Sequence, residues 1–96
     1  MISRDQIHKL ERTISDFDPS GANRYFLYGS SVREPRFRDI DLGVLGNKVS
    51  RKHLSVLREH FYDSTIPYAV DVVDFDEAEG AFRDYVLQNE PILWIR

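Results

Sequence analysis

Apolar residues recur along this chain with two different periods, and the changes of period outline its elements. Ile7, Leu10, Ile14 and Phe17 follow one another at helical intervals, behind a capping-box pair, Ser3 and Gln6. The pattern predicts an amphipathic helix stopped by the turn Asp18-Pro19-Ser20-Gly21. Residues 24–28 (RYFLY) are a short aromatic run that suits a buried strand, and Gly29-Ser30 breaks it. Period two appears at residues 39–45 (DIDLGVL): Ile40, Leu42 and Val44 share one face, Asp39, Asp41 and Gly43 the other.

Ser50 can cap a second long helix with the stripe Leu54, Leu57 and Phe61. Beyond Pro67, residues 68–75 (YAVDVVDF) predict a third strand. Asp76 with Glu79 can open a last helix to about Asn89, burying Ala78, Phe82 and either Tyr85 or Val86. The apolar tail at 91–96 (PILWIR) predicts a terminal edge strand. Strands alternating with helices predict an α/β (α+β) fold, a small mixed sheet flanked by helices. A length of 96 residues predicts a single domain over 1–96, with no second core, repeat or linker.

Composition narrows the function classes. With 13 basic and 16 acidic side chains, the chain repels a phosphate backbone, which argues against stand-alone nucleic-acid binding. It has no cysteine, so disulfides and thiolate metal sites are excluded. No apolar run approaches the ~20 residues of a membrane span, and the charged N-terminus lacks a signal-peptide core. A soluble, cytoplasmic protein without a membrane partner is the expectation.

The candidate chemistry lies in carboxylates that interrupt apolar strands: Asp39, Asp41 and Asp71. On a strand, Asp39 and Asp41 share a face with Cα atoms roughly 6–7 Å apart. Both can then reach a pair of divalent cations about 3.5–4 Å apart, the spacing used in two-metal phosphoryl transfer. All-oxygen ligation suits Mg²⁺, with Mn²⁺ as the other choice, rather than zinc. Taken alone, D-x-D is the ordinary pattern of a surface strand with aspartates outward, and Asp71 fits a strand edge paired with an arginine. Asp74 competes with Asp71, but alternation puts the two on opposite faces. Gly29-Ser30 follows a strand and can open a helical turn whose backbone N–H groups attract phosphate. Arg33, Arg36 and Arg38 crowd the loop that follows, either beside that phosphate or as solvated partners of surface acids. His8, His53 and His60 have no ligand spacing and read as helix-surface residues.

The order of these parts carries more than any one of them. YGSSVREPRFRDIDLGVL followed by AVDVVDF resembles the DNA polymerase β-type nucleotidyltransferase superfamily, and most of all its minimal nucleotidyltransferases. The resemblance runs from Arg24 to the tail. Where that family commonly continues Gly-Ser with Arg, a small residue, a basic residue and Gly, this chain has Ser31, Val32, Arg33 and Glu34. The resemblance implies that Gly29 and Ser30 hold the triphosphate of ATP or another NTP, with Arg33 at the family's basic position. It implies that Asp39 and Asp41 bind two Mg²⁺ ions, and that Asp71 binds the catalytic one and assists deprotonation of the acceptor. An adenylyltransferase-like enzyme is expected, moving AMP onto an acceptor hydroxyl. Its implied partner is a helical protein, either a HEPN-type toxin or a substrate-binding subunit, which would make the chain an antitoxin in the first case. The alternative is a catalytically weak antitoxin that acts by binding. The oligomeric state, a homo-oligomer included, stays open.

Overall fold

The apolar segments assemble into one mixed sheet in a computed structural model, which describes residues 1–46 and 51–96. Its strands are β1 (Asn23–Tyr28), β2 (Asp39–Gly46), β3 (Ala69–Asp74) and β4 (Leu93–Trp94), in the order β3-β2-β1-β4. β1 runs antiparallel to β2 and β4, whereas β2 and β3 are parallel. A parallel pair needs a crossover, and α3 (Arg51–Tyr62) supplies it. The other helices are α1 (Arg4–Phe17), the single turn α2 (Ser30–Arg33) and α4 (Gly80–Asn89). The result is a small α+β fold, as the pattern predicts. Among the described residues, no helix is long and apolar enough to cross a membrane.

Alternation gives the sheet two unlike faces. On one, Tyr25, Leu27, Ile40, Leu42, Val44 and Val72 pack against Leu10 and Ile14 of α1 and Leu54, Leu57 and Phe61 of α3. On the other, Phe26, Tyr28 and Phe75 meet Val86 of α4. Gly43 belongs to this second face, and a Cβ there would overlap the ring of Phe26, its cross-strand partner. Small size at position 43 is what lets an aromatic residue lie flat across the sheet.

The ends of the first helix follow their predicted chemistry. Gln6 N–H donates to Ser3 Oγ at 3.3 Å, and Ser3 N–H to Gln6 Oε1 at 3.4 Å, completing the capping box. At the other end, the buried Asp18 carboxylate accepts the N–H groups of Ala22 and Asn23, each at 3.0 Å, and the Tyr25 hydroxyl at 2.9 Å. Burial pushes its pKa up, but those three bonds and the charge of Arg96 outweigh this and hold it below the usual carboxylate value.

Two expectations need correction. The last helix starts at Gly80, because Asp76 is committed elsewhere: its carboxylate accepts Gly46 N–H at 3.1 Å. Glu79 precedes the helix without a side-chain cap. Of the residues predicted to be buried there, only Val86 is; Ala78 is half-buried, and Phe82 and Tyr85 are exposed. The predicted cap Ser50 lies outside the described residues. The tail does form an edge strand: Leu93 and Trp94 are in register with β1, and Ile95 N–H donates to the Tyr25 carbonyl at 2.8 Å beyond them. Arg96 then fastens the end, donating to Ser15 Oγ at 2.8 Å and the Pro19 carbonyl at 3.0 Å. The opposite edge, β3, is tied to α3 by Arg58, which donates to the Val72 carbonyl at 2.8 Å.

Candidate active site

The acidic residues converge because of strand register. Asp41 on β2 has Asp71 as its partner on β3 and Tyr28 as its partner on β1. Cross-strand partners point to the same face, so the Asp41 and Asp71 carboxylates rise side by side from strands about 4.8 Å apart. Asp39, two residues earlier on β2, shares that face. Asp74 alternates with Asp71 and falls on the opposite face, where its Oδ1 accepts Asp76 N–H at 3.0 Å.

Like charges directly opposite each other destabilise a sheet. Asp41 feels this most. Burial raises its pKa, Asp71, Asp39 and Glu90 raise it further, and only Arg33 acts in the opposite sense. Tyr28, buried beside it, has its phenol pushed well up by burial and then by Asp41, Asp71 and Glu90, so it stays protonated.

Gly29 links the turn after β1 to the acids. Its φ is +77°, a conformation that other residues rarely adopt, and a Cβ there would overlap Asp41 Oδ2. Glycine is therefore required twice over, by the turn and by the carboxylate. From this residue α2 begins, with Ser31 fully buried and Val32 packed on the main core. The turn is pinned from behind: Ile2 N–H donates to the Ser31 carbonyl at 2.8 Å and the N-terminal ammonium to the Glu34 carbonyl at 2.6 Å. Ser31 thus points inward, and its Oγ has no hydrogen-bond partner among the described residues. Ser30 stays half-buried and Arg33 exposed at the outer side of the same turn. Arg36 and Arg38 are exposed, and so is Asp39.

Sequence reasoning missed two members of this site, Tyr28 and Glu90. Arg33 Nη1 donates to Glu90 Oε1 at 2.8 Å across 57 residues of chain. No local motif announces Glu90, since only the return of α4 across the sheet brings it to the acids. Tyr28 was legible as the last residue of a strand, but its place beside Asp41 depends on register.

The donor set fits a hard divalent cation: carboxylate oxygens only, with mutual repulsion that a cation would relieve. Among the described residues, however, no three acidic or histidine side chains already stand in the arrangement of a metal cage. Asp39 and Asp71 are both exposed. A separate cavity of ≈ 520 Å³, lined by Phe61, Tyr62, Ile66 and Tyr68 among others, lies where α3 meets the start of β3 and contains no acid.

No family model matches the chain, and no curated protein matches it. Its fold is similar to that of a chain in a solved structure, a crystal structure of a toxin-antitoxin with AMP-PNP. The TM-score is 0.65 at 21% identity, over 88% of this chain and 72% of that one. At that identity the likeness establishes the fold, a four-stranded mixed sheet with four helices compatible with a nucleotidyltransferase.

Proposed function

We propose that the acidic face is a nucleotidyl-transfer site that moves AMP from ATP, or the corresponding group of another NTP, onto an acceptor hydroxyl. The observation that carries this reading is the in-register pair Asp41–Asp71 with Gly29 folded onto Asp41. A phosphate turn and a cation-seeking carboxylate cluster are thereby built as one unit. Asp39, Asp41 and Asp71 would hold Mg²⁺, or Mn²⁺ in its place. Bound there, the metal would neutralise charge on the entering and leaving oxygens.

The chain's own groups divide the remaining work. The Ser30 and Ser31 N–H groups open α2 ahead of Val32, whose N–H is taken by the Gly29 carbonyl at 3.2 Å, and with the Ser30 hydroxyl they bind phosphate oxygens. Arg33 adds a cation at the outer side of the turn. Asp71, exposed on the edge strand, takes the proton of the acceptor hydroxyl at a carboxylate oxygen. The acceptor oxygen bonds to the α-phosphorus as the bond to the bridging oxygen breaks, and pyrophosphate leaves with that electron pair. Tyr28, kept protonated, walls the site without adding charge.

The similar solved structure supports a nucleotide ligand and a place in a toxin–antitoxin pair, with a protein partner as acceptor or acceptor carrier. Exposed Phe82, Tyr85 and Trp94, at 42%, 60% and 42%, favour a protein partner as well. They also sustain the second reading, an antitoxin that acts by covering its partner. The discriminating experiment supplies α-labelled ATP, Mg²⁺ and the protein encoded next to this one. Label on that partner, lost in Asp41→Asn, supports transfer. Neutralisation of the partner without label, unchanged in Asp41→Asn, supports binding alone.

A further inference from the structure

Glu90 sits outside the acidic motif yet reaches the site through Arg33. It is the residue that closes α4, and its bond to Arg33 Nη1 at 2.8 Å ties the end of that helix to the end of α2. The Glu90 side chain is 16% exposed, whereas that of Arg33 is 46% exposed. Arg33 also lies 3.9 Å from Glu34, which is itself mostly exposed, and the Arg33 charge reaches Asp41. A mostly buried carboxylate close enough to act on Asp41 is an unfavourable arrangement unless a cation stays with it. The pairing is therefore firm on the Glu90 side and free on the Arg33 side. A guanidinium carries five N–H donors in a rigid fork, so one bond to Glu90 sets its direction and leaves donors for a second anion. Because α2 is held from behind by Ile2 and the N-terminal ammonium, the guanidinium has fixed anchors at both ends.

Resting on the nucleotidyl-transfer reading, we infer that Glu90 is a positioning residue for the triphosphate: it aims Arg33 at the phosphate held on Gly29 and Ser30, and touches neither metal nor substrate itself. A competing geometry, in which Glu90 merely occupies the place of the phosphate, predicts the opposite sign on affinity, so the two are separable.

The test measures the Kd of AMP-PNP in Mg²⁺ for wild type, Glu90→Gln, Arg33→Ala and the double variant, each beside its melting temperature. Glu90→Gln should weaken binding about tenfold and Arg33→Ala at least as much, in line with a charged hydrogen bond. The double variant should bind no more weakly than Arg33→Ala, because Glu90 acts through that side chain. The exchanged pair Arg33→Glu with Glu90→Arg should recover the melting temperature without recovering affinity. Unchanged or tighter binding by Glu90→Gln overturns the inference, as do additive losses in the double variant or full affinity in the exchanged pair. A wild type that binds no AMP-PNP overturns the nucleotidyl-transfer reading itself, and this role with it.

Discussion

The two faces of the sheet obey opposite rules. Against α1 and α3 the strands present a mostly apolar face, and the buried carboxylate beside it, Asp18, accepts hydrogen bonds from Ala22, Asn23 and Tyr25. Against α4, aromatic packing gives way within one residue pair to carboxylates in register with each other. One face accumulates favourable contacts, whereas the other keeps a repulsion that packing alone would have removed. The two aspartates record that difference, since Asp18 has its pKa lowered by the fold and Asp41 has its raised.

The contrast breaks most visibly in the core. Leu42→Ala on the packed face should cost about 2–5 kcal/mol, read as a lower denaturant midpoint, since Leu42 is fully buried. Next in size, Asp18→Ala leaves the Asn23 N–H and Tyr25 hydroxyl buried without an acceptor, at a cost of about 1.5–3 kcal/mol.

Stability against pH sharpens the comparison further. Asp18 titrates lower folded than unfolded, so its contribution is full above the ordinary value of 3.8 and disappears as pH falls through the folded value. Asp41 titrates higher folded than unfolded, so its contribution is full below 3.8 and disappears as pH rises through the folded value. Unfolding curves across the acid range should show Asp18→Ala flattening the acid limb, and Asp41→Asn flattening the loss on the rising side. Identical profiles for the two variants would remove the distinction. The smallest effects belong to the exposed loop: Arg36→Ala and Arg38→Ala should each change stability by less than about 0.5 kcal/mol in the same assay.

Much of this was readable in the chain because period two makes faces explicit. Once Ile40, Leu42 and Val44 face the core, Asp39 and Asp41 must face away, and Asp74 cannot join Asp71. The Ser3–Gln6 capping box and the Gly29 turn likewise have local causes, and both appear where the residues put them. What the sequence hid is non-local. The start of α4 depends on Asp76 being taken by Gly46 across a strand end, which no pattern within 76–89 reveals. Glu90 enters the site only because α4 crosses the sheet, and β1–β2 register alone sets Tyr28 beside Asp41.

The central claim is that the Asp39–Asp41–Asp71 face is strained in order to take a cation and a nucleotide. Melting of wild type and Asp41→Asn, first in EDTA and then in Mg²⁺ with AMP-PNP, tests it most directly. Asp41→Asn should melt at or above wild type in EDTA, since one of the repelling charges is gone. With Mg²⁺ and AMP-PNP at about 100 times Kd, wild type should gain roughly 2.7 kcal/mol, a rise of several degrees, and Asp41→Asn should gain almost nothing. An Asp41→Asn protein that melts well below wild type in EDTA yet is stabilised equally by Mg²⁺ and AMP-PNP would contradict it.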